Sequence, residues 1–248
     1  MENDKKLTVR AVERALDILL CFTERTELTL TEISSEISLH KSTVHRLLTT
    51  LEMKGFVIRN NETEKYRLGF RVWELSANLS DSDDPAVLFL PEMERLRDLL
   101  EETVSLYIRD RNERIRVQAV QSNQTIRRVA PVGARMPLSV GASSKVLVAY
   151  ADDATQHMIL NDSSWPETIS KDKFMEQCEH IKQKGYATSV EEREQGVSAL
   201  SVPIMNRSGQ LIAALAVSGP VTRLTVESME KHAELLMETA TRLGKMVK

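Results

Sequence analysis

At 248 residues, the chain is long enough for one large domain or two smaller ones with a buried core. Its composition, 42% apolar and 28% charged, is typical of a globular protein, and no apolar run reaches the ~18 residues of a membrane span. The net charge of −3 argues against indiscriminate binding to polyanions. The polar N-terminus has no apolar signal-peptide core, so the predicted location is the cytoplasm.

The first part of the chain predicts two helices in succession. The first helix is amphipathic and is predicted over about 9–23 from apolar residues at helical spacing: Val12, Leu16, Leu19 and Leu20. A short second helix covers the sequence TEISSEI, with Thr29 or Thr31 as its N-cap and Glu32 in its first turn. Ser38-Leu39-His40 then predicts a turn.

A third helix, a hairpin and a linker are predicted next. The helix covers about 41–54 and ends at Gly55, a typical C′ residue. Two short strands, 56–58 and 65–68, flank an Asn-rich tip and predict a β-hairpin. A helix over 69–78 leads to the acidic linker SDSDDP at 80–85. The buried face of the third helix is predicted to carry Val44, Leu47, Leu48 and Leu51.

The outward face of the third helix combines short polar side chains with cations. Arg46 can donate to O6 and N7 of guanine, and Lys65 and Arg67 on the hairpin suit phosphates. Residues 1–80 contain 12 Lys or Arg and 12 Asp or Glu, so DNA binding depends on where the charges lie. A solvated helix face is the alternative for any one residue. The predicted DNA-binding residues are Thr29, Lys41, Ser42, Thr43, His45, Arg46, Thr50, Lys65 and Arg67.

Beyond the linker the pattern changes to mixed helices and strands. Two strands flank the turn 206–209, which is the clearest hairpin signal of this half, and Thr225 is the predicted N-cap of the last helix. The predicted helices are 86–102, 143–151, 171–184 (closed by Gly185) and the C-terminal one; the predicted strands are VSLYIRD, RIRVQAV, an irregular one within 129–137, 196–204 and 210–218.

Small residues at Gly141, Ala142 and Ser143 open the helix that follows a proline-containing loop. Backbone N–H groups at such a helix N-terminus can bind an anion, although a plain junction between loop and helix is the alternative. The sequence therefore offers a candidate small-molecule site, but gives it less support than the DNA-binding surface.

Nearly the whole chain, from about Val9 to Val247, resembles the IclR family of bacterial transcription regulators. HKSTVHRLLTTLEMKGFV resembles the family's recognition helix, and KYRLGFRVWEL its wing strand and linker helix. GYATSVEEREQGVSALSVPI and LAVSGPVTRLT resemble its effector-domain signature. The resemblance implies an α+β protein with a winged helix–turn–helix domain (1–68), a linker helix and linker (69–85) and a GAF-like α/β effector-binding domain (86–248). Family members are dimers, or dimers of dimers, on palindromic operator DNA, and a small metabolite, often an organic acid, modulates them.

The same resemblance implies an effector pocket. The family's effector loop usually reads His-Ala-Thr/Ser-x-x-Gly-Lys; in the segment 139–145 the lysine matches, whereas the histidine and the glycine do not. Alanine stands at two positions that carry Cys or Ser in members binding small keto acids, so the pocket is expected to be roomier and less polar. The resemblance is therefore not extended to glyoxylate or pyruvate as the ligand of this chain. The implied effector-binding residues are Gly141, Ala142, Ser143, Ser189, Glu192, Ala199, Ala216 and Ser218.

Catalytic, metal and cofactor sites are not predicted. GASSK lacks the Ser-x-x-Lys spacing, GVSAL lacks the Gly-x-Ser-x-Gly pattern, and the five histidines show no metal-ligand spacing. No phosphate-binding Gly-rich loop is present, and Glu191, Glu192 and Glu194 fit a solvated turn better than an acid–base pair. Cys21 and Cys178 are interpreted as buried thiols, with a disulfide or thiol sensor as the alternative.

The predicted function is a DNA-binding transcription regulator whose operator binding responds to a small molecule in the second domain. A repressor is preferred to an activator, although members of the family include both. Two alternatives remain at this point. The second domain could serve oligomerisation or a protein partner, or the chain could be an enzyme with an accessory winged helix. No membrane partner is predicted.

Overall fold

The computed structural model describes residues 8–23, 25–77, 84–127, 129 and 131–247. The chain divides into two compact units, Met1–Asp81 and Ser82–Lys248. This division falls inside the predicted linker segment 69–85, although most of SDSDDP lies outside the described residues. Among the described residues, no helix is both long and apolar enough to cross a membrane.

The first unit is a set of helices with a small antiparallel sheet. The strands lie in the order β1-β3-β2, and β2 and β3 form the predicted hairpin. The elements are α1 (Arg10–Leu20), β1 (Leu28–Thr29), α2 (Leu30–Glu36), α3 (Lys41–Met53), β2 (Val57–Arg59), β3 (Lys65–Leu68) and α4 (Phe70–Ala77).

Two local motifs set the ends of α2 and α3. Thr29 caps α2: its side chain accepts from the Glu32 N–H at 3.3 Å, while the Glu32 carboxylate accepts from the Thr29 N–H at 2.7 Å. Gly55 follows α3 with φ +76°, its N–H bonds to Glu52 O, and the next N–H bonds to Leu51 O, as in a Schellman motif. The predicted cap and C′ glycine are therefore confirmed.

The core of the first unit differs from the prediction for α1. Ile18, on the other face of that helix, is fully buried together with Ile33, Val44 and Leu48. By contrast, much of the apolar stripe used to predict α1 is exposed: Val12 54%, Leu16 54% and Leu20 61%. Helical spacing identifies an apolar face, but does not specify whether the chain itself covers it.

The second unit is built on one six-stranded antiparallel sheet, in the order β6-β5-β4-β9-β8-β7. Helices cover both faces of this sheet. The elements are α5 (Pro85–Leu88), α6 (Leu90–Leu100), β4 (Thr103–Asp110), β5 (Glu113–Val120), β6 (Arg135–Pro137), α7 (Ala142–Ala149), α8 (Asp153–Leu160), α9 (Lys171–Lys184), β7 (Ala187–Val190), β8 (Val197–Met205), β9 (Leu211–Pro220) and α10 (Val226–Gly244).

Each face of the sheet has its own apolar cluster. One face packs against α6 and α10, with Leu106, Leu215 and Leu236 fully buried. The other packs against α7 and α9, with Val146 and Cys178 fully buried. The second unit is therefore α/β, as predicted. The structure adds that it has three layers and that α7 lies directly on the sheet.

Two helix predictions for the second unit need correction. The single helix expected over 86–102 is two helices, because Pro91 lies in the first turn of α6, where its missing N–H costs nothing, and α5 ends before it. The helix α8 was not predicted. Its N-cap is Asp152, whose carboxylate accepts from the Thr155 N–H at 2.8 Å.

Candidate DNA-binding surface and small-molecule cavity

The helix α3 has one buried face and one polar face. Val44 and Leu48 are fully buried and hold the helix on its unit. The opposite face exposes most of the predicted DNA-binding residues: Lys41, Ser42, His45, Arg46 and Thr50 are exposed, and Thr43 is half-buried. A helix held in this way can present short polar groups and an arginine to base edges in a major groove.

Two predicted DNA-binding residues have hydrogen bonds within the protein. Thr50 Oγ1 donates to Arg46 O at 3.0 Å, which leaves the hydroxyl able to accept but not to donate. The Thr29 hydroxyl is bonded to Glu32 as part of the α2 cap. Thr29 therefore has a structural role whether or not it also contacts DNA.

The hairpin presents two of the predicted cations. Arg67 is exposed, while Lys65 is half-buried with its Nζ 3.9 Å from a Glu27 carboxylate oxygen. Another hairpin cation, Arg59, pairs with Glu64 at 2.6 Å and is thereby partly neutralised. In the described part of the chain, no ion pair engages Lys41, Arg46 or Arg67, so their charges face solvent. Exposed lysine and arginine side chains of this kind can bind the phosphates of DNA.

In the second unit, all eight predicted effector-binding residues line one cavity. Five further residues line it that were not predicted. Tyr107 comes from β4 and Arg114 from β5, so the cavity is closed on one side by strands that the family-based expectation left out. The complete lining is Tyr107, Arg114, Gly141, Ala142, Ser143, Ser189, Glu192, Arg193, Glu194, Val197, Ala199, Ala216 and Ser218.

The N-terminus of α7 is already bonded to a carboxylate of the chain. The Gly141 N–H donates to Glu192 Oε2 at 3.0 Å, and Lys145 Nζ lies 2.5 Å from Glu192 Oε1 and 2.9 Å from Thr188 O. The family-matched lysine is therefore the ion-pair partner of the family-matched glutamate. Glu192 occupies the place where an anion would meet the helix N-terminus.

Arg114 explains why glycine stands at 141. The guanidinium donates to Val140 O at 2.8 Å and to the Ser144 hydroxyl, and the side chain is only 3% exposed. A Cβ at position 141 would lie 3.1 Å from Arg114 Nη2, and φ there is +94°. Both the close approach of this arginine and the backbone angle favour glycine.

The cavity is small and polar, which differs from the expectation of a roomier and less polar pocket. Its volume is about 30 Å³, enough for a water molecule or two. Ala199 and Ala216 share the lining with the buried Arg114 and with the Glu192 carboxylate, which is bonded to Gly141. Ser218 is 5% exposed and its Oγ has no hydrogen-bond partner in the described structure.

The residues that sequence reasoning missed, Tyr107 and Arg114, carry only a weak sequence signal. Both lie in strands, where alternation places them on the face opposite Leu106 and Ile115. An arginine in a strand normally indicates a solvent-facing position. Arg114 is buried because its guanidinium bonds to Val140, just before α7, and to Ser144 in the first turn of α7.

The two cysteines are buried and unpaired, as interpreted from the sequence. Burial raises the pKa of Cys178 to about 12, and burial likewise raises the pKa of Cys21. Cys178 Sγ packs under α7, 3.9 Å from Lys145 O. Both thiols are therefore protonated at neutral pH and unsuited to thiolate chemistry. No group of three or more potential metal ligands occurs among the described residues.

Comparisons with known proteins match both units of the chain. Residues 11–60 match the IclR helix-turn-helix domain, and residues 81–245 match the C-terminal domain of bacterial transcriptional regulators of the IclR type. The regulator XynR of Escherichia coli K12 is 32% identical over 246 residues, which cover 96% of each chain. The regulator KdgR of Dickeya chrysanthemi is 30% identical over 242 residues, 96% of this chain and 79% of that protein.

Solved structures share the fold. An IclR regulator from Alicyclobacillus acidocaldarius superposes with a TM-score of 0.83 at 24% identity, covering 97% of this chain and 100% of that one. An IclR homologue from Microbacterium hydrocarbonoxydans, complexed with 4-hydroxybenzoate, has a TM-score of 0.83 at 24% identity, covering 96% and 98%. The matched families and curated relatives are transcription regulators, not enzymes. The chain belongs to the IclR family of DNA-binding transcription regulators.

Proposed function

We propose that this regulator is a repressor whose operator affinity is set by a small organic acid bound in the second unit. The observation that carries the proposal is the convergence of all eight predicted residues on the cavity beside the N-terminus of α7. The relative AllR of Escherichia coli, 29% identical, is named a repressor. The homologue complexed with 4-hydroxybenzoate supports an acid as ligand. The site of action is the cytoplasm, where bacterial operators lie.

The DNA-binding form is proposed to be a homodimer, alone or paired as a dimer of dimers. Two copies of α3 about 34 Å apart would read the two halves of a palindromic operator. Exposed apolar side chains on α1 and α4 support pairing, because large apolar residues facing water mark contact surfaces. Leu16 is 54% exposed and Phe70 is 74% exposed.

Effector entry is proposed to involve displacement of Glu192. The cavity of about 30 Å³ cannot hold a metabolite as it stands, whereas an open groove of about 700 Å³ lies on the other side of the same glutamate. Moving the carboxylate would join the two spaces and would break its bonds to Gly141 and Lys145. An effector that prefers this rearranged state would shift the population of dimers able to span both half-sites.

The test is an operator-binding assay with the full-length protein. Operator DNA is first selected from random duplexes, and mobility shifts are then measured with a panel of small carboxylic acids. We expect at least one acid to weaken operator binding. Ala199→Leu fills the cavity and should abolish the response to the acid without changing the operator affinity measured in the absence of acid. The control is Ala119→Leu, at a half-buried position of β5 outside the cavity, which should retain the response.

A second candidate function is favoured by the small volume of the cavity. The second unit would then serve oligomerisation or a protein partner, with Glu192 as a permanent structural carboxylate. That function replaces the first if no acid in the panel changes operator binding and if Ala199→Leu behaves like the parent protein throughout.

A further inference from the structure

The buried pair Tyr107–Arg116 has no part in the family-based description of the site. Arg116 is fully buried; its Nε donates to Tyr107 Oη at 3.0 Å and its Nη2 donates to the same oxygen. Its Nη1 has no hydrogen-bond partner in the described structure. A buried guanidinium costs free energy unless it is compensated, and a phenol oxygen alone does not neutralise it.

Tyr107 lies between Arg116 and the cavity. The residue lines the cavity and is 5% exposed, and its ring also lies 5.5 Å from the Arg114 guanidinium carbon. Because the phenol oxygen accepts from Arg116, its own proton is directed elsewhere. No acceptor for that proton is found within the described ranges. Tyr107 is thus a hydrogen-bond donor on the lining of the cavity, and its bond from Arg116 strengthens it as a donor.

Two buried guanidinium groups lie at the cavity. Arg114 lines it and is 3% exposed, and Arg116 is fully buried behind Tyr107. The other charged residues of the lining, Glu192, Arg193 and Glu194, are exposed, and Lys145 borders the cavity through its ion pair with Glu192. Water screens exposed charges, so the buried guanidinium groups have the stronger effect, and they favour an anion.

The anion cannot bind as the sequence suggested, because the Gly141 N–H is bonded to Glu192. The opposite wall carries other polar groups: among the described residues the buried Ser218 hydroxyl has no hydrogen-bond partner, and Tyr107 and Arg114 lie on the neighbouring strands β4 and β5. A hydroxyl, a phenol and a guanidinium together match the oxygens of a carboxylate.

We propose that the carboxylate of the effector binds on the strand side of the cavity, to Tyr107, Ser218 and Arg114, and that Arg116 is a positioning residue acting through Tyr107. This deepens the proposed function, on which it rests, by naming the residues that select an anionic ligand. The α7 N-terminus then contributes through the displacement of Glu192 rather than as the primary anion contact.

The test uses the smallest carboxylates, which suit a cavity of this volume, and the full-length protein. Thermal unfolding of the second unit is followed in sodium formate and sodium acetate, against sodium chloride at equal ionic strength and against the neutral analogues formamide and acetamide. We expect the carboxylates to raise its Tm by about 3–6 °C at about ten times their Kd. The amides should give no shift.

Tyr107→Phe keeps the ring and removes only the hydroxyl. It should weaken the apparent Kd for acetate about tenfold. Because the variant also removes the acceptor of buried Arg116, its Tm in chloride should fall, so the acetate shift of each protein is measured against its own Tm in chloride. Tyr150→Phe, at the end of α7 and outside the cavity, should bind acetate like the parent protein. Equal shifts with acetate and acetamide, or an unchanged acetate response in Tyr107→Phe, would overturn the inference.

The operator assay separates this inference from the proposed function. Carboxylates that bind through Tyr107 without altering operator affinity would support the anion site and refute the regulatory role. A neutral metabolite that releases the operator, equally well from the parent protein and from Tyr107→Phe, would support the regulatory role and refute the anion site.

Discussion

Arg46 and Arg114 carry the same charge in opposite surroundings. Arg46 is exposed on α3 and is not engaged in an ion pair within the described part of the chain, whereas Arg114 is almost completely buried beside Gly141. An exposed guanidinium is free to exchange water for phosphate or guanine. A buried one is fixed in place by its hydrogen bonds, so it selects a ligand by position as well as charge.

Substitution of Arg46 by alanine should reduce operator affinity by about 1–3 kcal/mol and relax the preference at one base position. The fork of the guanidinium is the group on this face that can bond two acceptors of one guanine. Fluorescence anisotropy on the selected operator and its single-base variants measures both effects. Arg207→Ala, exposed in the turn between β8 and β9, is the matched control and should change neither. Equal affinities of Arg46→Ala and the parent protein would contradict the assignment.

At the scale of elements, local sequence chemistry was a good guide to where helices begin and end. The caps at Thr29 and Thr225 and the C′ glycines Gly55 and Gly185 occur as predicted, since each depends on a hydrogen bond or a backbone angle within a few residues. The missed helix α8 also has a local cap in Asp152, but its apolar pattern is short. The choice between Thr29 and Thr31 needed the structure.

Thr29→Ala should destabilise the first unit by about 1 kcal/mol, because it removes the N-cap of α2. Thr31 is exposed two residues later, and Thr31→Ala should have little effect. The bond from the Thr29 N–H, then that from its hydroxyl, lowers the pKa of Glu32. The stabilisation from Glu32 is therefore present above the usual carboxyl pKa and is lost as the pH falls through its lowered folded-state value. Urea unfolding at several pH values measures both effects. Equal loss of stability in both threonine variants would contradict the cap.

At the scale of the whole molecule, two units divide the work of one regulator. The first presents a polar recognition helix and exposed apolar faces on α1 and α4, and the second encloses a small charged cavity. An apolar face that the chain itself does not cover has a free-energy cost in water, which a second copy can remove.

Leu16→Lys should disrupt the proposed dimer and weaken operator binding at least tenfold, because a cation on the apolar stripe of α1 opposes its burial and a monomer contacts only one half-site. Analytical ultracentrifugation gives the mass, and anisotropy gives the affinity. Leu99→Lys, at a similarly exposed leucine of α6, is the control and should leave both unchanged. A Leu16→Lys protein that stays dimeric would exclude α1 from the interface.

The sequence by itself determined most of the elements, the hairpins, most helix ends and the polar face of α3, because each depends on neighbours within one or two turns of chain. It missed α8 and β7 and merged α5 with α6. It also placed all eight expected residues on what proved to be one cavity, by resemblance to a family. Only the tertiary structure decided which apolar stripe of α1 is exposed, and that Glu192 already bonds to Gly141. It alone showed that Tyr107, Arg114 and Arg116 are buried together. These are contacts between residues far apart in sequence, and their free energies depend on burial, which local patterns do not encode.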